Sequence, residues 1–150
     1  MTVRRGALVA AVCGVMLSVP VVARADSPEL GGCARGGVLT AQMVPGTGSA
    51  GQGIHREAEL WECASPLLPG IVSGHFTAEE SWITIDNASA RITWSDGSVS
   101  TAIGYPNELW TITDGPASGH TLRLALETDM TAQWYHLDTT MPVRSASFME

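Results

Sequence analysis

Strict alternation is the feature that most limits what this chain can fold into. Over residues 37–149, apolar and polar side chains change places at every second position, in short runs broken by Gly, Pro, Asn and Asp. Ala90, Ile92 and Trp94 fall on one side of such a run, with Arg91 and Thr93 opposite. Leu122, Leu124 and Leu126 likewise oppose Arg123 and Glu127. Residues two apart share one face of a strand, so each run reads as a strand with one face in a core. No stretch keeps apolar residues at i, i+3, i+4 and i+7 over three turns, so the pattern gives no support for a helical frame.

The runs predict strands over residues 37–44, 54–63, 71–77, 81–85, 89–94, 98–103, 109–113, 120–128, 131–135 and 143–149. Ser95-Asp96-Gly97 separates two of them, and Asp-Gly between alternating runs signals a tight hairpin. Residues 45–53 form a glycine-rich loop, and residues 64–70 a connector stiffened by Pro66 and Pro69. The segment from Pro69 to His75 is echoed by the one from Gly115 to His120, two strand entries where glycine permits a bulge. About ten short antiparallel strands of this kind fit two packed sheets better than a barrel. The expectation is therefore an all-β, immunoglobulin-like β-sandwich.

The N-terminus carries a different pattern. Arg4 and Arg5 precede an uncharged apolar run, which closes on Ala23-Arg24-Ala25 before Asp26. That order is the mark of a cleaved secretory signal, so residues 1–25 read as a signal peptide and residues 26–150 as one mature domain, secreted and free of the membrane. Within it Arg35, Arg56, Arg91, Arg123 and Arg144 stand against all fifteen acids, a formal charge of −10. Such a domain repels phosphate backbones and anionic lipid surfaces, which argues against nucleic-acid and membrane partners. Cys33 and Cys63 are the two cysteines left after cleavage, and in an oxidising compartment they point to one disulfide.

Chemistry-bearing residues are sparse. His55, Glu57, Glu59 and Trp61 alternate with Ile54, Arg56, Ala58 and Leu60, so one imidazole and two carboxylates share a strand face at spacings of about 7 Å. Those groups suit a divalent metal ion, and equally the polar face of an amphipathic strand. His136 and Asp138 form a similar pair, but no G-x-S-x-G elbow supplies a nucleophile. Glu79-Glu80 offers two carboxylates with no indication of their separation. Of five tryptophans, Trp94 and Trp110 align with core positions, whereas Trp61 and Trp82 fall on polar faces and are candidates for contact with a ligand or partner. There is no P-loop, dinucleotide fingerprint or EF-hand, and no cofactor is called for.

The run Ala90-Arg91-Ile92-Thr93-Trp94-Ser95-Asp96-Gly97-Ser98-Val99-Ser100-Thr101, together with Pro69-Gly70-Ile71-Val72-Ser73-Gly74, resembles a group of small, secreted, uncharacterised actinobacterial proteins. The resemblance spans residues 33–126. It implies secretion and a β fold and carries over no catalytic residue. The function expected is a monomeric, non-enzymatic extracellular binding module for a protein or glycan. A small-molecule or metal carrier is the alternative, and a hydrolase comes last.

Overall fold

A computed structural model describes residues 30–45, 52–81, 88–104, 108–127 and 140–150. The described residues form nine strands: β1 (Gly32–Gly36), β2 (Val38–Pro45), β3 (Gln52–Ala64), β4 (Ser73–Ser81), β5 (Ala88–Trp94), β6 (Val99–Gly104), β7 (Leu109–Asp114), β8 (Thr121–Leu126) and β9 (Met141–Met149). Every strand from β2 onward pairs antiparallel with the next, and β9 returns to pair with β1 and β2. β1 and β2 occupy one lane between β9 and β3, separated by Gly37. Gly36 stands opposite Leu60 and Thr40 opposite Glu57, so one extra residue is accommodated on the β1–β2 side as a bulge.

The expected immunoglobulin-like sandwich is therefore not formed. A single sheet closes on itself as an eight-lane, up-and-down barrel. The alternation that suggested two sheets is met equally by one closed sheet, because in both an inner face is apolar and an outer face wet. What decides between them is the pairing of β9 with β1 and β2, which removes the free edges a sandwich would keep.

The inner wall carries the core. Leu60, Phe76, Ile92, Ile112 and Leu122 are fully buried on five different strands. The Phe76 and Trp110 rings meet edge to face, with centroids 5.0 Å apart. Two glycines make room for the indoles. A Cβ on Gly74 would lie 2.6 Å from the Trp94 ring, and one on Gly104 only 2.4 Å from Trp110. Trp94 Nε1–H donates to Ser100 Oγ at 2.7 Å, and that hydroxyl donates on to the Pro116 carbonyl at 2.7 Å, so the indole N–H and the Ser100 hydroxyl are both satisfied. Leu68, Ile71 and Ala117 fold in from the turns to close one end. That end also carries the disulfide, Cys33–Cys63, joining directly opposed residues of β1 and β3.

The hairpin signal at Asp96-Gly97 is realised as the β5–β6 turn. Gly97 takes φ +85°, and Asp96 Oδ1 accepts from both the amide and the hydroxyl of Ser98. Those two bonds hold the Asp96 carboxyl below its ordinary pKa. The signal segment 1–25, the strand expected over 131–135, and Trp82, Trp134, His136 and Asp138 lie outside the described residues. The strand expected over 81–85 lies outside them but for Ser81.

Candidate functional site

The outer wall of β3 and β4 gathers more ionisable side chains than any other described surface. On β3, His55, Glu57, Glu59 and Trp61 point outward, as their parity requires. β4 runs antiparallel beside it, with Glu79 opposite His55, Thr77 opposite Glu57 and His75 opposite Glu59. The result is a diagonal row of five groups. His55 Nδ1 lies 3.1 Å from Glu79 Oε1, and His75 Nδ1 lies 2.8 Å from Glu59 Oε1. Glu57 stands between the rings, its Oε2 3.9 Å from His55 Nε2 and 3.9 Å from His75 Nε2.

The proton positions follow from the donor inventory. An ionised carboxylate only accepts, so each Nδ1 must carry the hydrogen that it shares with Glu79 or Glu59. Both Nε2 atoms then face the same carboxylate oxygen of Glu57. On the far side of β3, Thr40 of β2 stands opposite Glu57, and its buried hydroxyl has no hydrogen-bond partner among the described residues. Among the described residues, no group of three or more His, Cys, Asp and Glu side chains is placed to hold a metal ion. Trp61 extends the row toward the disulfide end and is 41% exposed. Opposite it on β1 is Arg35, which forms an exposed ion pair with Glu62 at 3.1 Å.

The sequence reading brought His55, Glu57 and Glu59 to one face but missed His75 and Glu79 as their neighbours. The missing information was the β3–β4 register. Parity within residues 73–79 would have put His75, Thr77 and Glu79 on one side, but only the pairing says which strand they face. The same register separates Glu79 from Glu80, which had read as one acid pair. Glu79 points outward and Glu80 into the barrel.

Inside, Glu80 meets Arg56. Arg56 lies in the apolar register of β3 and is 1% exposed, while the Glu80 side chain is 6% exposed. Arg56 Nε–H donates to Glu80 Oε1 at 3.1 Å. Burial is the larger influence on both. It pushes the Glu80 carboxyl up to about 7 and lowers Arg56, and in each case the partner's opposite charge only partly offsets it. The pair sits away from the disulfide end, with Ile54 opposite Glu80 and Ala78 opposite Arg56.

An open groove of about 370 Å³ runs along β1 and β9, lined by Gly31, Ala34, Glu62, Ser145 and Phe148 among others. Its one ionisable side chain, Glu62, is engaged by Arg35. No family model, curated protein or solved structure matches this chain.

Proposed function

We propose that this is an exported, non-catalytic binding protein that uses the outer wall of its barrel as the contact surface. The observation that carries the reading is the Glu79–His55–Glu57–His75–Glu59 row, continued by the exposed Trp61, on a wall whose inner face is packed with Phe76, Trp110 and their neighbours. Eight strands enclose a space that side chains can fill, and a filled barrel presents its chemistry outside. The polar-out, apolar-in alternation is the reverse of a lipid-facing barrel. Export is supported by the N-terminal pattern and fits the disulfide, a bond that persists in oxidising compartments. The likeness of the Ala90–Thr101 hairpin to small secreted actinobacterial proteins points the same way.

The test is site-specific photocrosslinking in native culture fluid. A photoreactive residue replaces Trp61 in one variant and Thr113, on the wall of β7, in another. Discrete adducts from position 61 that are absent from position 113 are expected. Identical patterns from both positions, or no adduct from position 61, would remove the β3–β4 wall as the binding face.

A second reading rests on the buried Arg56–Glu80 pair. A charged couple inside an apolar barrel suits an anchor for a small polar ligand, as in a carrier. Mass excess in the native spectrum of the secreted protein, lost on denaturation, would move this reading ahead.

A further inference from the structure

We propose that Trp61, Glu62 and Arg35, together with the groove along β1 and β9 that Glu62 borders, form a binding site for a neutral saccharide. The inference rests on the reading of the outer wall as the contact surface and names the ligand class at its Trp61 end. It starts from the backbone. Glu62 has φ +54°, in the left-handed region that glycine enters freely and glutamate seldom does. The alternation of β3 shifts there: Leu60 and Cys63 are buried, and Trp61 and Glu62 between them are both exposed. Cys33 stays opposite Cys63 and Arg35 opposite Trp61, so the register holds on either side. The shift turns Cys63 inward to meet Cys33, a backbone task that glycine at position 62 would serve with less strain. What glutamate adds is its carboxylate. Glu62 Oε1 accepts from Arg35 Nη1 at 3.1 Å, but both side chains are more than half exposed, and an ion pair in that setting contributes little to stability. Strain held for a side chain that does little for the fold points to a ligand.

The neighbouring chemistry says which ligand. The Trp61 indole leans over Gly37, where a Cβ would stand 3.4 Å from its Cη2 atom, and the residue remains exposed. The face of an indole is electron-rich and attracts the C–H face of a pyranose ring. Arg35, directly opposite Trp61, is a fork of N–H donors, and Glu62 is an acceptor beside it. The bond between them occupies one of Arg35's five donors and one of roughly four acceptor sites on Glu62, so capacity remains on both. Sugar hydroxyls donate and accept, and neighbouring hydroxyls can use the guanidinium and the carboxylate together. Beyond Glu62 lies the groove of about 370 Å³, with Ser145 and Ser147 on its β9 bank and Ala34 and Ala64 on the other, a size within the usual range for small-ligand sites. Charge selects among polar ligands. Glu62 and Arg35 cancel, so the site is neutral on an acidic domain. An anion is repelled by the domain as a whole, and a cation competes with Arg35 for Glu62. A neutral, hydroxyl-rich ring meets neither obstacle.

The experiment is calorimetric titration of the secreted protein with cellohexaose and with chitohexaose, two neutral chains of flat-faced pyranoses, and with tetragalacturonate as the anionic probe. Saturable binding of at least one neutral chain at one site per protein is expected, with a shift in tryptophan fluorescence and no comparable binding of tetragalacturonate. Trp61→Ala, Arg35→Gln and Glu62→Gln should each weaken it about tenfold or more. Arg91→Gln, on the outer wall of β5, should leave it unchanged. Glu62→Gly separates function from fold: it should raise the urea midpoint by relieving the backbone and weaken saccharide binding about tenfold. Circular dichroism of each variant distinguishes loss of the site from loss of the fold. No binding of either neutral chain, binding indifferent to Trp61→Ala, or a Glu62→Gly protein that is less stable than the parent or keeps full affinity would overturn the proposal. If the saccharides fail while crosslinking at position 61 persists, the wall remains the contact face with a ligand of another chemistry. If both fail, the reading of the wall fails with it.

Discussion

Glu80→Gln should stabilise the protein at pH 8, although it removes one partner of an ion pair. The Glu80 carboxyl is raised from 4.5 to about 7 because burial disfavours its charge more than Arg56 favours it. The sign follows from linkage. Between pH 4.5 and 7 the folded protein keeps a proton that the unfolded chain has released, so stability falls as pH rises through that window and levels off above it. At roughly 1.4 kcal/mol per pH unit, the full window is worth on the order of 3 kcal/mol. Glutamine imitates the protonated acid, keeps an acceptor for Arg56 Nε–H and cannot ionise. The variant should therefore match the parent at pH 4.5 and exceed it by up to about 3 kcal/mol at pH 8. Urea denaturation of both proteins at half-unit pH steps is the assay. The difference between the two curves isolates Glu80 from the other groups that titrate there. If Glu80→Gln is less stable than the parent at pH 8, the pair is a net stabilising salt bridge and the reasoning fails.

Three further outcomes follow from the packing. Replacing Cys33 and Cys63 by alanine frees a loop with a sequence separation of 30, and chain entropy puts the loss at roughly 3–4 kcal/mol in a chemical denaturation midpoint analysis. Gly104→Ala drives a methyl group into the Trp110 ring, which should cost about 1–3 kcal/mol and shift the near-ultraviolet circular dichroism of the indoles. Ser100→Ala strands the buried Trp94 indole N–H and removes the donor to the part-buried Pro116 carbonyl, a loss of about 1–3 kcal/mol that Ser100→Thr should partly restore.

Local features of this fold are legible in the sequence, and the way the sheet ends is not. Ala90, Ile92 and Trp94 point inward and Arg91 and Thr93 outward because period-two patterning is a property of each strand alone. The Asp96-Gly97 turn is equally local. The choice of barrel over sandwich depends on β9 finding β1 and β2, a pairing between distant segments that no window of residues encodes. β1 itself was missed, since Gly-Cys-Ala-Arg-Gly has no alternation to show. Its strand conformation is imposed by β3, β9 and the disulfide. The strand expected to end at Thr77 runs on to Ser81 as β4. Glu79 and Glu80 are consecutive glutamates within it. In the barrel the second of them is the inward partner of Arg56, an inward charge that hydrophobic patterning is built to exclude. The outer row was half visible for the complementary reason: its β3 members share one strand, and its β4 members join them only through register.

The closing pair of strands also sets how this protein breaks. While β9 is seated, no described strand of the ring lacks a neighbour over its paired residues at the seam. Removing β9 would bare β8 on one side and the β1–β2 lane on the other in a single event. Two unpaired edges of complementary shape on every molecule are a template for joining one copy to the next. Loss of the last ten residues should therefore turn a self-contained ring into an open unit that polymerises, with little room for a frayed but soluble intermediate.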